Sequence, residues 1–245
     1  GNGSLENRTR PETIPSLAGS AATTVSGGAG HTCALFNQAA TRCWGAASFG
    51  ETGFSMTQHP VMVAPIGVYQ QYSNIDLQAG AYHTCSVGWD HRAYCWGANW
   101  YGQIGNNSIA ERYWPFELTS LGYSVQQVAS GYNFSCARLT NDTAWCWGRN
   151  NRGQLGDGTQ TDRLLPAEVS GVDGLVASVE AGDAFACALL VDKSLVCWGE
   201  NNYGQLGDGT FIARGSPAPV VGLSGPVRAV ATGGSHACAL LDSGG

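Results

Sequence analysis

A cysteine pair ten residues apart recurs four times in this chain, at an almost constant step of 51 residues. The pairs are Cys33/Cys43, Cys85/Cys95, Cys136/Cys146 and Cys187/Cys197, and Cys238 opens a fifth. The text around them repeats as well. Asn150-Asn151-Arg152-Gly153-Gln154-Leu155-Gly156-Asp157-Gly158-Thr159 returns as Asn201-Asn202-Tyr203-Gly204-Gln205-Leu206-Gly207-Asp208-Gly209-Thr210. Each second cysteine is followed by Trp-Gly, at Trp44-Gly45, Trp96-Gly97, Trp147-Gly148 and Trp198-Gly199. One such unit cannot bury its own apolar face, so repetition at this period requires neighbours to stack. Residues 1–245 therefore read as a single array, with units of about 1–52, 53–104, 105–155, 156–206 and a partial 207–245.

Each unit reads as four short strands. In the third, Val125–Ala129 is the first and Ser135–Leu139, alternating apolar and polar, the second. Asn141-Asp142 supplies a turn, Ala144–Trp147 the third strand, and Pro166–Val169 a short fourth with proline at its start. Helical periodicity is absent, and 35 glycines suit tight turns. Four antiparallel strands per unit, repeated radially, make a β-propeller blade. The chain also begins inside a repeat. Gly1-Asn2-Gly3-Ser4 aligns with Gly156-Asp157-Gly158-Thr159, and Arg8 and Pro11 fall where Arg163 and Pro166 fall. Four complete units and two partial ends, as in a fragment of a longer protein, imply an all-β open arc or incomplete propeller.

The pattern Ala-Gly-x-x-His-Thr-Cys-Ala-Leu, then Cys-Trp-Gly-x-Asn-x-x-Gly-Gln-Leu-Gly-Asp-Gly-Thr, then Arg-x-x-Pro, resembles the regulator of chromosome condensation repeat over essentially the whole chain. The resemblance implies a propeller, usually of seven blades. The family it points to includes guanine-nucleotide exchange factors, ubiquitin-ligase domains, secreted inhibitors of bacterial hydrolases and a plant ultraviolet receptor. Fold alone does not choose among them. The receptor's sensing tryptophans precede the His-Thr position, where this chain has Gly30, Tyr82, Asn133, Ala184 and Ser235.

Two cysteines flanking a turn on adjacent antiparallel strands can face one another at a separation that suits a disulfide. The plainer reading is small buried apolar residues. Both positions are filled together in all four complete units, which suits a bond better than packing. Cys238 is then unpaired because its partner lies beyond the last residue. Zinc is disfavoured, since structural zinc sites draw on cysteines two to four apart. Disulfides imply an oxidising, extracellular or cell-surface compartment, and the sequons at Asn2, Asn7, Asn106, Asn133 and Asn141 are candidate glycosylation sites in that setting.

Catalytic, cofactor and metal residues are not expected. His31, His83 and His236 share a repeat position that holds Phe134 and Phe185 elsewhere, so it reads as packing with a satisfied ring nitrogen. The Gly-Gln-Leu-Gly-Asp-Gly-Thr loop lacks the Lys-Ser/Thr of a phosphate loop, and Asp157 and Asp208 read as turn residues rather than calcium ligands. Arg8, Arg112, Arg163 and Arg214, recurring before Pro11, Pro115, Pro166 and Pro217, suggest a structural hydrogen bond between blades. Charged residues make up only 12% of the chain and the net charge is −6, which argues against nucleic acid. No apolar run is long enough to span a membrane.

Function must break the symmetry of the array. The second unit carries Trp89, Trp100, Tyr113, Trp114 and Phe116 where the third has Thr140, Asn151, Leu164, Leu165 and Ala167. Such aromatics suit a partner-binding surface, though loops folding onto themselves would also use them. The expectation is a non-enzymatic, disulfide-stapled, extracytoplasmic scaffold that binds a protein partner. The alternatives are an exchange-factor or ubiquitin-ligase propeller in the cytoplasm or nucleus and, below these, a secreted hydrolase inhibitor.

Overall fold

The computed structural model describes residues 6, 9–10, 14, 21–36, 41–54, 58–63, 74–122 and 124–244. Four antiparallel sheets of four strands follow one another along the chain. The first blade is β1 (Ala22–Gly27), β2 (His31–Phe36), β3 (Thr41–Ala46) and β4 (Gln58–Val63). The second is β5 (Asn74–Ala79), β6 (His83–Gly88), β7 (Ala93–Gly97) and β8 (Arg112–Glu117). The third is β9 (Val125–Ser130), β10 (Phe134–Leu139), β11 (Ala144–Gly148) and β12 (Arg163–Glu168), and the fourth β13 (Val176–Ala181), β14 (Phe185–Leu190), β15 (Leu195–Gly199) and β16 (Arg214–Pro219). A two-stranded sheet, β17 (Val227–Thr232) and β18 (Ala237–Leu241), begins the fifth. The sheets form an open propeller arc. Each blade's first strand is innermost, and β1, β5, β9, β13 and β17 succeed one another around a cavity of about 570 Å³.

The fourth strand starts earlier than its proline predicts. Pro166 lies inside β12, within a bulge between the Cys146–Ala167 and Gly148–Arg163 pairs. The strand is a sheet edge, where proline's missing N–H removes no ladder bond.

Blade-to-blade packing explains the repeated Trp-Gly. Trp96, Trp147 and Trp198 are fully buried, each against a neighbouring sheet. Their indole N–H groups donate to the carbonyls of Glu51, Gln103 and Gln154 of the preceding blade, each at 2.9 Å. The glycine that follows is required twice over. Gly97 has φ of 111°, and a Cβ there would stand 2.6 Å from the Tyr82 carbonyl oxygen.

The shared His/Phe position is also set by the next blade. His31 Nε2 meets Thr84 Oγ1, and His83 Nε2 meets Ser135 Oγ, both at 2.8 Å. Each hydroxyl spends its own proton on a carbonyl, Thr84 on Glu51 and Ser135 on Gln103, so each imidazole is the donor. Where the next blade offers Ala186 or Ala237 instead of a hydroxyl, the position holds Phe134 or Phe185. Burial lowers the pKa of His31 to about 4; burial, then the charge of His31, lowers that of His83 to about 3.

Candidate functional site

The cysteines of each complete blade face one another in register across the hairpin, as Cys33–Cys43, Cys85–Cys95, Cys136–Cys146 and Cys187–Cys197. Their Cα atoms lie 4.1, 4.2, 4.0 and 4.0 Å apart, and the four pairs form buried disulfides. Closing such a hairpin loop stabilises by roughly 2–3 kcal/mol on the chain-entropy estimate. Cys238 is free and exposed.

These staples hold the strands from which the long third-to-fourth-strand loops project. In the second, third and fourth blades each loop is organised by a buried asparagine, where the first blade has Ala47. Asn150 Nδ2 donates to Asp157 Oδ1 at 3.0 Å and to the carbonyls of Thr159 and Thr161, while its Oδ1 accepts the Leu155 N–H. Asn201 and Asn99 repeat the arrangement. Asp157 Oδ1 also accepts the Thr159 N–H and hydroxyl, and Oδ2 accepts Arg163 Nε at 2.8 Å. Asp208 does the same with Thr210 and Arg214. Burial opposes ionisation of Asp208, but the hydrogen bonds from Thr210, Arg214 and Asn201 outweigh it and hold the carboxyl at about 2. The recurring arginine thus closes a loop within its own blade, which corrects the expectation of a bond between blades. The reason is geometric: Asp157 lies six residues back along the same loop. In the second blade that aspartate is Asn106, and Arg112 lies over the Phe116 ring instead, 5.2 Å from its centroid.

The structure does not gather the five aromatics of the second repeat into one cluster. Trp100 and Tyr113 share the loop end of the blade, both tied to Glu111: Trp100 Nε1 donates to Oε1 at 3.2 Å and Tyr113 Oη to Oε2 at 3.0 Å. Trp114 is next to Tyr113 on the edge strand, ring centroids 6.2 Å apart. Trp89 sits in the β6–β7 turn at the opposite end of the blade, since successive connections of an antiparallel sheet alternate ends. Phe116 is half-buried against the core between the second and third blades.

Instead, aromatics from three blades meet on one face. Phe49 and Trp100 are edge to face with centroids 4.7 Å apart, and Tyr82 lies 6.0 Å from Phe49 and 5.7 Å from Trp100. Tyr132 continues the row at 5.5 Å from Tyr82, their hydroxyls 3.3 Å apart, and Arg149 stacks on Tyr101 at 4.6 Å. Trp100 and Tyr132 are each 39% exposed, so this row is not part of the buried core. The sequence contained one signal for this: Tyr82, Trp100 and Tyr132 occupy connections that the topology brings to the same end, although they match different repeat positions.

The sequons separate by environment. Asn133 is buried, its Oδ1 accepting Gln103 Nε2, and Asn106 is half-buried with its Oδ1 taken by Asn99. Asn141 is exposed in the β10–β11 turn. Asn2 and Asn7 lie outside the described residues, as do Arg8 and Pro11.

Among the described residues no group of three or more His, Cys, Asp or Glu side chains is placed to hold a metal ion, and no helix is long and apolar enough to cross a membrane. The central cavity is polar, lined by groups such as Ser26, Gln78, Glu180 and Asp183. The inner strands are clamped there, Asp76 Oδ2 accepting the Val128 N–H at 2.8 Å and Gln127 Oε1 the Val179 N–H at 2.9 Å.

Buried inter-blade tryptophans, four-stranded antiparallel sheets and a radial inner strand define a β-propeller whose complete blades each carry an internal disulfide. The chain belongs to the regulator of chromosome condensation (RCC1) repeat family, whose repeat matches residues 90–138, 141–189 and 194–240, with a second form of it at 125–154 and 176–205. It is 29% identical over 244 residues to the mouse (Mus musculus) E3 ubiquitin-protein ligase HERC2, covering 98% of this chain and 5% of that protein. It is 28% identical over 224 residues to the ultraviolet-B receptor UVR8 of Arabidopsis thaliana, covering 90% of this chain and 51% of the receptor. Prp20p of Saccharomyces cerevisiae, whose structure is described with its binding to Gsp1p and histones, superposes with a TM-score of 0.80 at 17% identity, over 92% of this chain and 57% of Prp20p. The chain thus spans about half the length of UVR8 and Prp20p, and far less of HERC2.

Proposed function

We propose that this propeller is a non-catalytic recognition module that binds a protein partner through the aromatic loop face, and that it works in an oxidising, extracytoplasmic compartment. The observation that carries the recognition reading is the row Phe49–Trp100–Tyr82–Tyr132, large rings from three blades left half-open to solvent on a rigid frame. Aromatic side chains on preformed scaffolds are the commonest anchors of protein interfaces. The binding of Gsp1p and histones described for Prp20p is a precedent for protein recognition on this fold. The compartment reading rests on the four buried hairpin disulfides, because reducing compartments do not maintain such bonds.

The test is proximity crosslinking of the protein in its native compartment, followed by the same experiment on variants. Trp100→Ala and Tyr132→Ala should each lose the crosslinked partner while retaining the melting temperature. Trp89→Ala, at the other end of the blade, should retain both. Loss of the partner with Trp89→Ala but not with Trp100→Ala would place recognition elsewhere. The alternative is an intracellular exchange-factor or ubiquitin-ligase-associated propeller, favoured by the relationship to HERC2, and it requires these cysteines to be reduced thiols.

A further inference from the structure

We infer that the Phe49–Trp100–Tyr113 end of this face receives a cationic side chain, arginine or lysine, from the protein partner; this rests on the recognition reading above and names the partner's chemistry. Glu111 is the centre of the site. Its two oxygens are fixed by neutral donors, Trp100 Nε1 at 3.2 Å and Tyr113 Oη at 3.0 Å, which orient the carboxylate without neutralising it. Among the described residues the carboxylates of the neighbouring loops are compensated: Asp157 by Arg163, Asp208 by Arg214 and Glu200 by Arg152. Glu111 has no such cation among the described residues. Arg112, the residue that would correspond to Arg163, is turned over Phe116.

A second uncompensated carboxylate lies close by. Glu51 replaces the glutamine that the other loops carry as Gln103, Gln154 and Gln205. It is 1% exposed, with Oε2 accepting the Phe49 N–H at 2.9 Å, and no basic side chain pairs with it among the described residues. Burial first, and the charge of Glu111 as a further contribution, push its carboxyl above the ordinary range. Two carboxylates that repel each other, beneath exposed rings, are complemented by a cation from outside. The exposed rings of Trp100 and Tyr113 are hydrogen-bonded to Glu111, so a cation that reaches its carboxylate gains a charge-assisted hydrogen bond and comes within range of cation–π contact. The net charge of −6 favours approach of a basic partner over long range.

A fluorescently labelled peptide of four arginines, its four-lysine counterpart and a four-glutamate control would be titrated by anisotropy against the intact chain at low salt. The cationic peptides should bind, and Glu111→Gln should weaken them by roughly tenfold, the scale of one charge-assisted contact. Asp192→Asn, an exposed carboxylate in the β14–β15 turn at the opposite end, should leave binding unchanged. Equal weakening by Glu111→Gln and Asp192→Asn would show general attraction to an acidic protein and overturn the site. Binding of the glutamate peptide would also overturn it. With the native partner, loss of crosslinking in Trp100→Ala but not in Glu111→Gln would sink the cation site and leave the face standing; no loss in either would sink the face itself.

Discussion

The imidazole of His83 and the hydroxyl of Ser135 should behave as one unit across the second and third blades. Ser135→Ala alone leaves the Nε2–H of a fully buried histidine without an acceptor, an omission that costs about 1–3 kcal/mol. The Gln103 carbonyl loses the serine hydroxyl in that variant but keeps the Trp147 indole, so the imidazole bears most of the damage. His83→Phe alone forfeits one neutral hydrogen bond, worth about 1 kcal/mol, and regains apolar contact. The ring should fit, because Phe134 already lies over Gly131 as His83 lies over Gly80. The double variant recreates the Phe134–Ala186 pair of the following interface, so Ser135→Ala should cost well under 1 kcal/mol in the His83→Phe background. Urea melts of the four proteins at pH 7 give the coupling directly, expected at about 1–2 kcal/mol. Additivity within about 0.5 kcal/mol would refute the pairing.

The same residue predicts an acid limb. The pKa of His83 falls from 6.5 unfolded to about 3 folded, so its neutral form contributes stability fully above pH 6.5. That contribution is lost as pH falls, on the order of 3 kcal/mol by pH 4. His83→Phe should flatten this limb, and a profile identical to wild type would show that His83 is accessible to protons in the fold.

Other interfaces make separate predictions. Trp147→Ala should destabilise by about 3–5 kcal/mol in urea melts, since it opens a fully buried cavity and strips the Gln103 carbonyl of its indole donor. Glu180 is raised from 4.5 to about 7, by burial first and by the charge of Asp76 second; its stability contribution is full below pH 4.5 and lost as pH rises through 7, so Glu180→Gln should reduce the fall on that side. Expressed through a eukaryotic secretory pathway, the chain should carry glycan at Asn141 and none at Asn133, read by peptide mapping after glycosidase treatment. Glycan on Asn133 in folded protein would contradict its burial.

Local regularities were legible in the sequence because every repeat restates them. The ten-residue cysteine spacing fits two strands joined by a tight turn, and the Trp-Gly step marks where one blade enters the next. The exchange of His for Phe was readable as packing, and its cause is also in the sequence, as a hydroxyl or an alanine about 52 residues on. Less was legible where several loops meet. Trp89 and Trp100 are eleven residues apart but lie at opposite ends of a blade, whereas Tyr82 and Tyr132 touch across two blades. Alignment by repeat position compares equivalent sites and hides contacts between unequal ones. The recurring arginine misled for a related reason: periodicity shows that a bond is repeated, not whether it stays inside the unit. Pro166 marks the edge strand correctly but not its start, because a bulge absorbs it.

The account depends first on the redox state of the paired cysteines. Protein recovered from its native compartment would be alkylated under denaturing, non-reducing conditions and weighed intact. One label, on Cys238, is the predicted result for this chain, with four closed hairpin bridges and the eight other cysteines protected. Nine labels would show reduced cysteines packed side by side, contradict the oxidising compartment, and move the search for partners to the interior of the cell.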